Sequence, residues 1–340
     1  MRNATRQLFN GYLGQQASLN GVDNAATKFS VSPTVQQRLE NKLQESSDFL
    51  SRINIVGVPE LKGEKLGLGI SGTIASRTDT SGTGTRKTQD ATNMTAGGYE
   101  CLKTDYDTHL RYGTLDAWAK FKDFQARVSN QVLQRCALDR ITIGWNGVRG
   151  EANTDRAQYP LLQDVNIGWL EQIRRHAAER VLKDGAQQGK IVVGAGGDYT
   201  HMDALIYDAY KTLLDPWFQD DPQLVAIVGR DLMHDKLFPL VAKNDAPTER
   251  LAADIVISQR RLGGLQAMAV PYFPAGTALV TRLDNLSIYY QDGARRRAVV
   301  DRPERDRVEF YESSNDAFVV EDYGMCALVE GIEIAPATGG

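Results

Sequence analysis

The chain has three cysteines, four histidines and eleven prolines in 340 residues, and no long apolar run. Each shortage excludes something. Cys101, Cys136 and Cys326 are far apart, odd in number and without a C-x-x-C pair. Neither a disulfide framework nor a zinc site is indicated; buried, reduced thiols of a protein made in a cytoplasm are expected. His109, His176, His201 and His234 stand in none of the spacings that hold a metal. His176, beside Arg174, Arg175 and Arg180, reads as a solvated helix flank. No G-x-S-x-G elbow occurs. With no stretch of 18 apolar residues, no membrane span is expected, and MRNATRQLFNGYLGQQ lacks the apolar centre of a secretory signal. An excess of positive charge is missing too. The net charge of −4 gives no reason to expect a free-standing nucleic-acid binder.

What is present is a globular composition, 42% hydrophobic and 24% charged, long enough for two domains or one with large excursions. Leu8, Phe9, Tyr12 and Leu13 predict a short, separable N-terminal helix, followed by the polar link LNGVDNAATK. Ser32-Pro33 opens a second helix with Val35, Leu39, Leu43 and Leu50 on one face. Thr114 is placed to cap LDAWAKF. Phe124, Val128, Val132 and Cys136 then repeat every four residues, with Ile141 on the same face. They predict a long spine helix over 124–146, stopped at Asn146-Gly147. Val165, Trp169, Ile173, Ala177 and Val181 mark another helix, and DALIYDAYKTLL (203–214) a further one. IVVG (191–194), LVAIVG (224–229), ADIVIS (253–258) and AMAVPYF (267–273) suit buried strands. The last quarter alternates between turns and predicts a long antiparallel sheet. The fold class is α+β.

One segment resists a compact fold. Between Ser71 and Gly97 the chain is rich in Ser, Thr and Gly, with Ile74 and Met94 as its sizeable apolar residues. It cannot bury enough surface to offset an ordering entropy of roughly 1–2 kcal/mol per residue. KLGLGI (65–70) before it and YECLKTDYDTHLRY (99–112) after it read as strands. An extended two-stranded arm with a polar tip is therefore predicted.

Two motifs could carry chemistry. GAGGDYTHMDAL (194–205) follows a strand and opens a helix, but it lacks both the GK[ST] ending of a P-loop and the G-x-G-x-x-G spacing. A turn with a Thr200–Asp203 capping box is the better reading. A nucleotide-using α+β enzyme with Gly194–Gly197 as phosphate loop is the alternative. In GARRRAVVDRPERDRVE (293–309), Arg295, Arg296, Arg297 and Arg305 alternate with Asp301, Glu304, Asp306 and Glu309. Mixed charge without interleaved aromatics favours salt-bridged strand edges or a subunit contact over a base-stacking surface, and a contact between subunits is the expectation taken forward. No catalytic residue, cofactor or metal is assigned.

QESSDFLSRINIVGV, KGEKLGLG, LLQDVNIGWLE, GGDY, DPQLVAIVGR, LAADIVISQRRLGG, VPYFPA, LDNLSIYYQD, DRVEFYES and VVEDYG, in that order, resemble the major capsid proteins of P2-like tailed bacteriophages. The resemblance runs from near the N-terminus to about Ile334. It implies an HK97-type capsid fold and a non-enzymatic shell protein that self-assembles into hexamers and pentamers around double-stranded DNA. It also implies a division of the chain. Residues 1–29 would be removed on maturation, 30–58 form the N-arm and 59–112 the extended E-loop with its strands. Residues 113–149 and 278–322 would build a peripheral domain, and 150–277 with 323–340 an axial one. The expected partners are other copies, a scaffolding protein or maturation protease, the portal, and packaged DNA touched weakly on the inner face. Assembly would occur in the host cytoplasm, and the product would be a virion. Matching puts the maturation junction near Lys28-Phe29-Ser30-Val31, with Phe29 and Ser30 as the expected pair. The expected E-loop contacts between neighbouring copies are Arg77, Arg86 and Lys87. Some members weld their shells through a Lys–Asn isopeptide bond; nothing in the spacing singles out Lys87 and Asn93 for it.

Overall fold

The computed structural model describes residues 1–66, 69–70, 75–81, 83, 85–88, 92–93, 96–233 and 261–335. The strand expected at 253–258 and His234 lie outside them. Six α-helices are described from end to end: α1 (Asn3–Asn20), α2 (Pro33–Glu45), α3 (Tyr112–Trp118), α4 (Phe124–Asn146), α5 (Trp169–His176) and α6 (Met202–Leu213). The spine, α4, has the bounds its apolar period predicts. Val128 and Val132 are buried in the cluster that holds Val299, Val308 and Phe310 of the C-terminal strands.

Three helix starts depart from expectation. Thr114 does not cap α3, which begins two residues earlier after Arg111. The Thr200–Asp203 box does not form: His201 precedes α6, and the Asp203 carboxylate instead accepts from the Gly263 amide at 3.0 Å. The fifth helix is shorter than its apolar period, leaving Val165 and Val181 outside. Gly168 is extended just before it, and passes so close to α4 that a Cβ there would lie 2.4 Å from the Gly144 carbonyl oxygen.

The larger sheet is built around one long strand, Arg307–Val320. Strands Leu102–Asp105 and Thr108–Arg111 line one of its edges. Arg296–Arg302 and Leu286–Gln291 line the other, both antiparallel. Asn54–Val58 adds a parallel strand outside Leu286–Gln291, and Phe29–Ser30 a short one outside Arg296–Arg302. The last quarter is thus largely antiparallel, as expected, except that its final strands leave it. Ala327–Val329 joins a second, six-stranded sheet with Val225–Val228, Ala278–Thr281, Leu265–Met268 and two shorter strands.

Alternation explains the apolar runs of this second sheet. Val225, Ile227, Leu279 and Leu328 face the main core, whereas Ala226, Val228, Val280 and Val329 face a second core under α6. Both faces are dry, so the strands carry no polar face. The run expected to continue through 273 instead ends at Met268, and Tyr272 turns the chain with φ of 61°.

The N-terminal helix is not separable in this structure. Phe9 and Tyr12 are each about 1% exposed and belong to the main core, where the Tyr12 ring meets Phe310 edge-on. Arg6 pairs with Asp301, which also accepts from the Tyr112 hydroxyl. Burying the two aromatic side chains contributes about 1.5–3 kcal/mol each to docking this 18-residue helix.

Candidate assembly surfaces

The arm leaves the body as an antiparallel hairpin. Lys62–Leu66 pairs with Ala96–Glu100, and Gly69–Ile70 continues in the same register with Thr92–Asn93. Its base is fixed by the Lys62–Glu100 ion pair and by Tyr99, whose ring packs edge-on against Tyr289 at 5.2 Å. Beyond it, Arg77, Arg86 and Lys87, the three expected contacts, are all exposed.

The arginine cluster divides in two. Arg295 and Arg297, expected at a subunit contact, instead point into their own subunit. The Arg295 guanidinium is about 1% exposed and pairs with Glu40 and Glu312; Arg297 reaches Glu312 at 3.2 Å and Gln16 at 3.3 Å. Arg140 of α4, which no local sequence signal marks, completes the network. It binds Asp316 through two nitrogens, each at 3.0 Å, and also pairs with Glu40. Tyr106 and Ser314 hydroxyls donate to Asp316 as well. Three cations and three carboxylates cancel. Burial alone would raise the Glu312 carboxyl, but Arg295 and Arg297 hold it down at about 2. Burial opposes the Arg140 charge; Asp316 and Glu40 outweigh it and push its pKa well above the ordinary value.

The other half of the cluster stays at the surface. Glu309 accepts from Tyr311 and Arg307, which hold its pKa at about 2, and Arg302 adds a third donor. Arg305, mostly exposed, sits 3.9 Å from Glu309. Arg296 donates to the Ser30 hydroxyl at 2.7 Å and to the Gly293 carbonyl at 2.6 Å.

The expected junction, Phe29 and Ser30, is extended but not freely accessible. Phe29 and Ser30 pair with Arg297 and Arg296 as an edge strand. The Val31 amide donates to the Arg295 carbonyl, and Val299 donates to Ala25, each at 3.0 Å. Phe29, Ala17, Ala25 and Val31 also close a small core of their own. A protease that needs an extended substrate must first peel this strand away.

Two amides of the Gly194–Gly197 loop are spent internally. Gly194 donates to Tyr199 and Gly197 to Gly194, while Asp198 accepts from Ala186 and Val192. A Cβ on Gly197 would fall 2.5 Å from the Val192 carbonyl oxygen. The glycines serve a tight turn, and the enzyme alternative has no support.

Comparison with known proteins points to a shell rather than a catalytic centre. A family model described as phage major capsid protein, P2 family, matches residues 8–332. A capsid protein of Escherichia phage P2 is 49% identical, the match covering 98% of this chain and 96% of that protein. The major capsid protein of Serratia phage KSP20 is 41% identical, the match covering 100% of both chains. A chain of the satellite phage P4 procapsid, solved with its size determination (Sid) protein, is 47% identical with a TM-score of 0.81. That match covers 98% of this chain and 99% of the other. The capsid of an empty GTA particle, at 13% identity and a TM-score of 0.50, shares the fold. The architecture is the HK97-type α+β fold, and this chain belongs to the P2 family of phage major capsid proteins.

Proposed function

We propose that this major capsid protein closes its shell from hexamers and pentamers, each subunit laying its arm across a neighbour through Arg77, Arg86 and Lys87. One observation carries the reading. The hairpin stem leads into a long polar tip, and a segment with so few apolar side chains of its own needs a second surface to order it. Polar contacts suit a loop that must fit several local environments. The large sheet with α4 serves as the peripheral domain and the six-stranded sheet with α6 as the axial one.

Outside the capsomer, the proposed partners are a scaffolding protein or maturation protease, a portal, and DNA held by weak contacts. Assembly in the host cytoplasm fits three buried, unpaired cysteines. Cleavage at Phe29 and Ser30 would follow release of the edge strand. Arg296 and Arg305 remain the members of the cluster available to a neighbour.

Negative-stain microscopy tests the arm. Replacing residues 75–91 by a tight turn should leave subunit melting nearly unchanged and abolish shells made with the scaffolding partner. Intact shells in normal yield would overturn the proposal.

A further inference from the structure

Lys65 is an unusual residue to find at the base of an arm. It is 7% exposed, and its ammonium donates to the Val320 carbonyl and lies 4.6 Å from the centroid of the Tyr323 ring. Burial lowers its pKa; Glu321, Asp322 and Cys326 oppose that through longer-range attraction. Burying an ammonium on a carbonyl and a ring face, with no paired carboxylate among the described residues, costs solvation that the contacts only partly return. Its strand partner is Gly97, where a Cβ would sit 3.3 Å from Lys65 Cε, so a glycine keeps the stem's path open.

The place it docks matters as much. Val320 ends the long strand of the first sheet, and Tyr323 opens the turn leading to Ala327–Val329 of the second. The chain also passes between the sheets at Thr281–Leu286. Asn285 ties the two crossings together, donating to Thr281 and to the Asp322 carbonyl and accepting from the Asp322 amide. The arm's base is therefore plugged into the joint between the sheets.

We propose that Lys65 is a latch that fixes the direction in which the arm leaves the body, seated in the joint between the two sheets and released to water when the arm swings. Its seat is strong enough to align an isolated subunit and poor enough to be given up, because solvation of the freed ammonium offsets the lost contacts. A shell whose subunits meet non-identical neighbours would then use seated and released forms side by side. This last step rests on the arm being a contact between copies; the latch itself does not.

Amine acetylation of the full-length subunit, read by peptide mass spectrometry, is the first test. Lys65 should react more than about tenfold slower than Lys62, which is exposed on the same strand. Spin labels at Thr80→Cys and Lys122→Cys then report arm direction, since the native cysteines are buried. The native distance distribution should be narrow, Lys65→Ala should broaden it, and Lys65→Met, neutral and similarly long, should keep it narrow while lowering shell yield. Equal acetylation of Lys65 and Lys62, or an unchanged distribution in Lys65→Ala, overturns the latch. Normal shells from Lys65→Met would remove its role in assembly. Should Lys65→Ala fail to fold, the acetylation rates of the native chain still decide. The tight-turn replacement of the tip leaves Lys65 in place, so the arm's own reading stands or falls separately.

Discussion

At the scale of single residues, the charges that matter most are the hidden ones. Glu40, Arg140, Arg295, Glu312 and Asp316 are almost fully buried and mutually paired, so removing one strands another. Arg140→Met leaves Glu40 and Asp316 without their shared cation and should destabilise the subunit by about 3–5 kcal/mol, measurable by urea unfolding. Glu312 gives the network an acid limit. Its pKa is about 2 in the folded chain against an ordinary 4.5, so it stabilises fully above about pH 4.5. That contribution disappears as pH falls through 2. Acid titration by circular dichroism should show Glu312→Gln, already less stable at pH 7, losing less between pH 4.5 and 2 than the native subunit. An equal loss would place the acid-sensitive group elsewhere. Glu40 and Arg140 are illegible in the sequence because their partners lie 100 to 255 positions away; of these pairs only Arg295–Glu312, 17 apart, is near in sequence. On α2, Gln36 and Glu40 sit on the buried side and look, in sequence, like an ordinary solvated face.

Among the elements, legibility follows local signals. The spine can be bounded because its apolar period and the closing Asn146-Gly147 are contained within it. The arm can be foreseen because lack of apolar side chains is also a local property. The capping boxes and the fifth helix escape such reading, since Gly168 is extended and passes close to α4, an approach that no local pattern encodes. The spine face is testable. Val132→Asp places a carboxylate in the main core without a partner, which should give insoluble or strongly destabilised subunits. Soluble protein with native melting would mean the face is wrongly assigned. The surface arginines give a milder test: Arg296→Glu should lower shell yield, and an acidic-to-basic change on a neighbouring copy should restore part of it.

For the whole molecule, the N-terminal helix poses a cost. Phe9 and Tyr12 complete the main core, so removal of residues 1–29 uncovers apolar surface that something in the shell must cover. Intact mass of mature particles should place most subunits' first residue near Ser30. Retention of residues 1–29 throughout would make the helix a permanent part of the shell. A subunit lacking residues 1–29 from the start should melt lower than the full chain, by several degrees, because the core surface that Phe9 and Tyr12 cover is left open.

The long strand Arg307–Val320 also sets a clock. Strands from 29–30 to 108–111 depend on it directly or through its neighbours, yet it is made near the end of a 340-residue chain. At ribosomal speeds of about 5–20 residues per second, roughly 15–60 s pass before it emerges. Until then the larger sheet has no centre, and its early strands wait on long-range closure, the slow kind of folding. A nascent chain therefore cannot present a finished assembly face while tethered to its ribosome. Polysomes carrying many copies side by side are thereby kept from building shells prematurely.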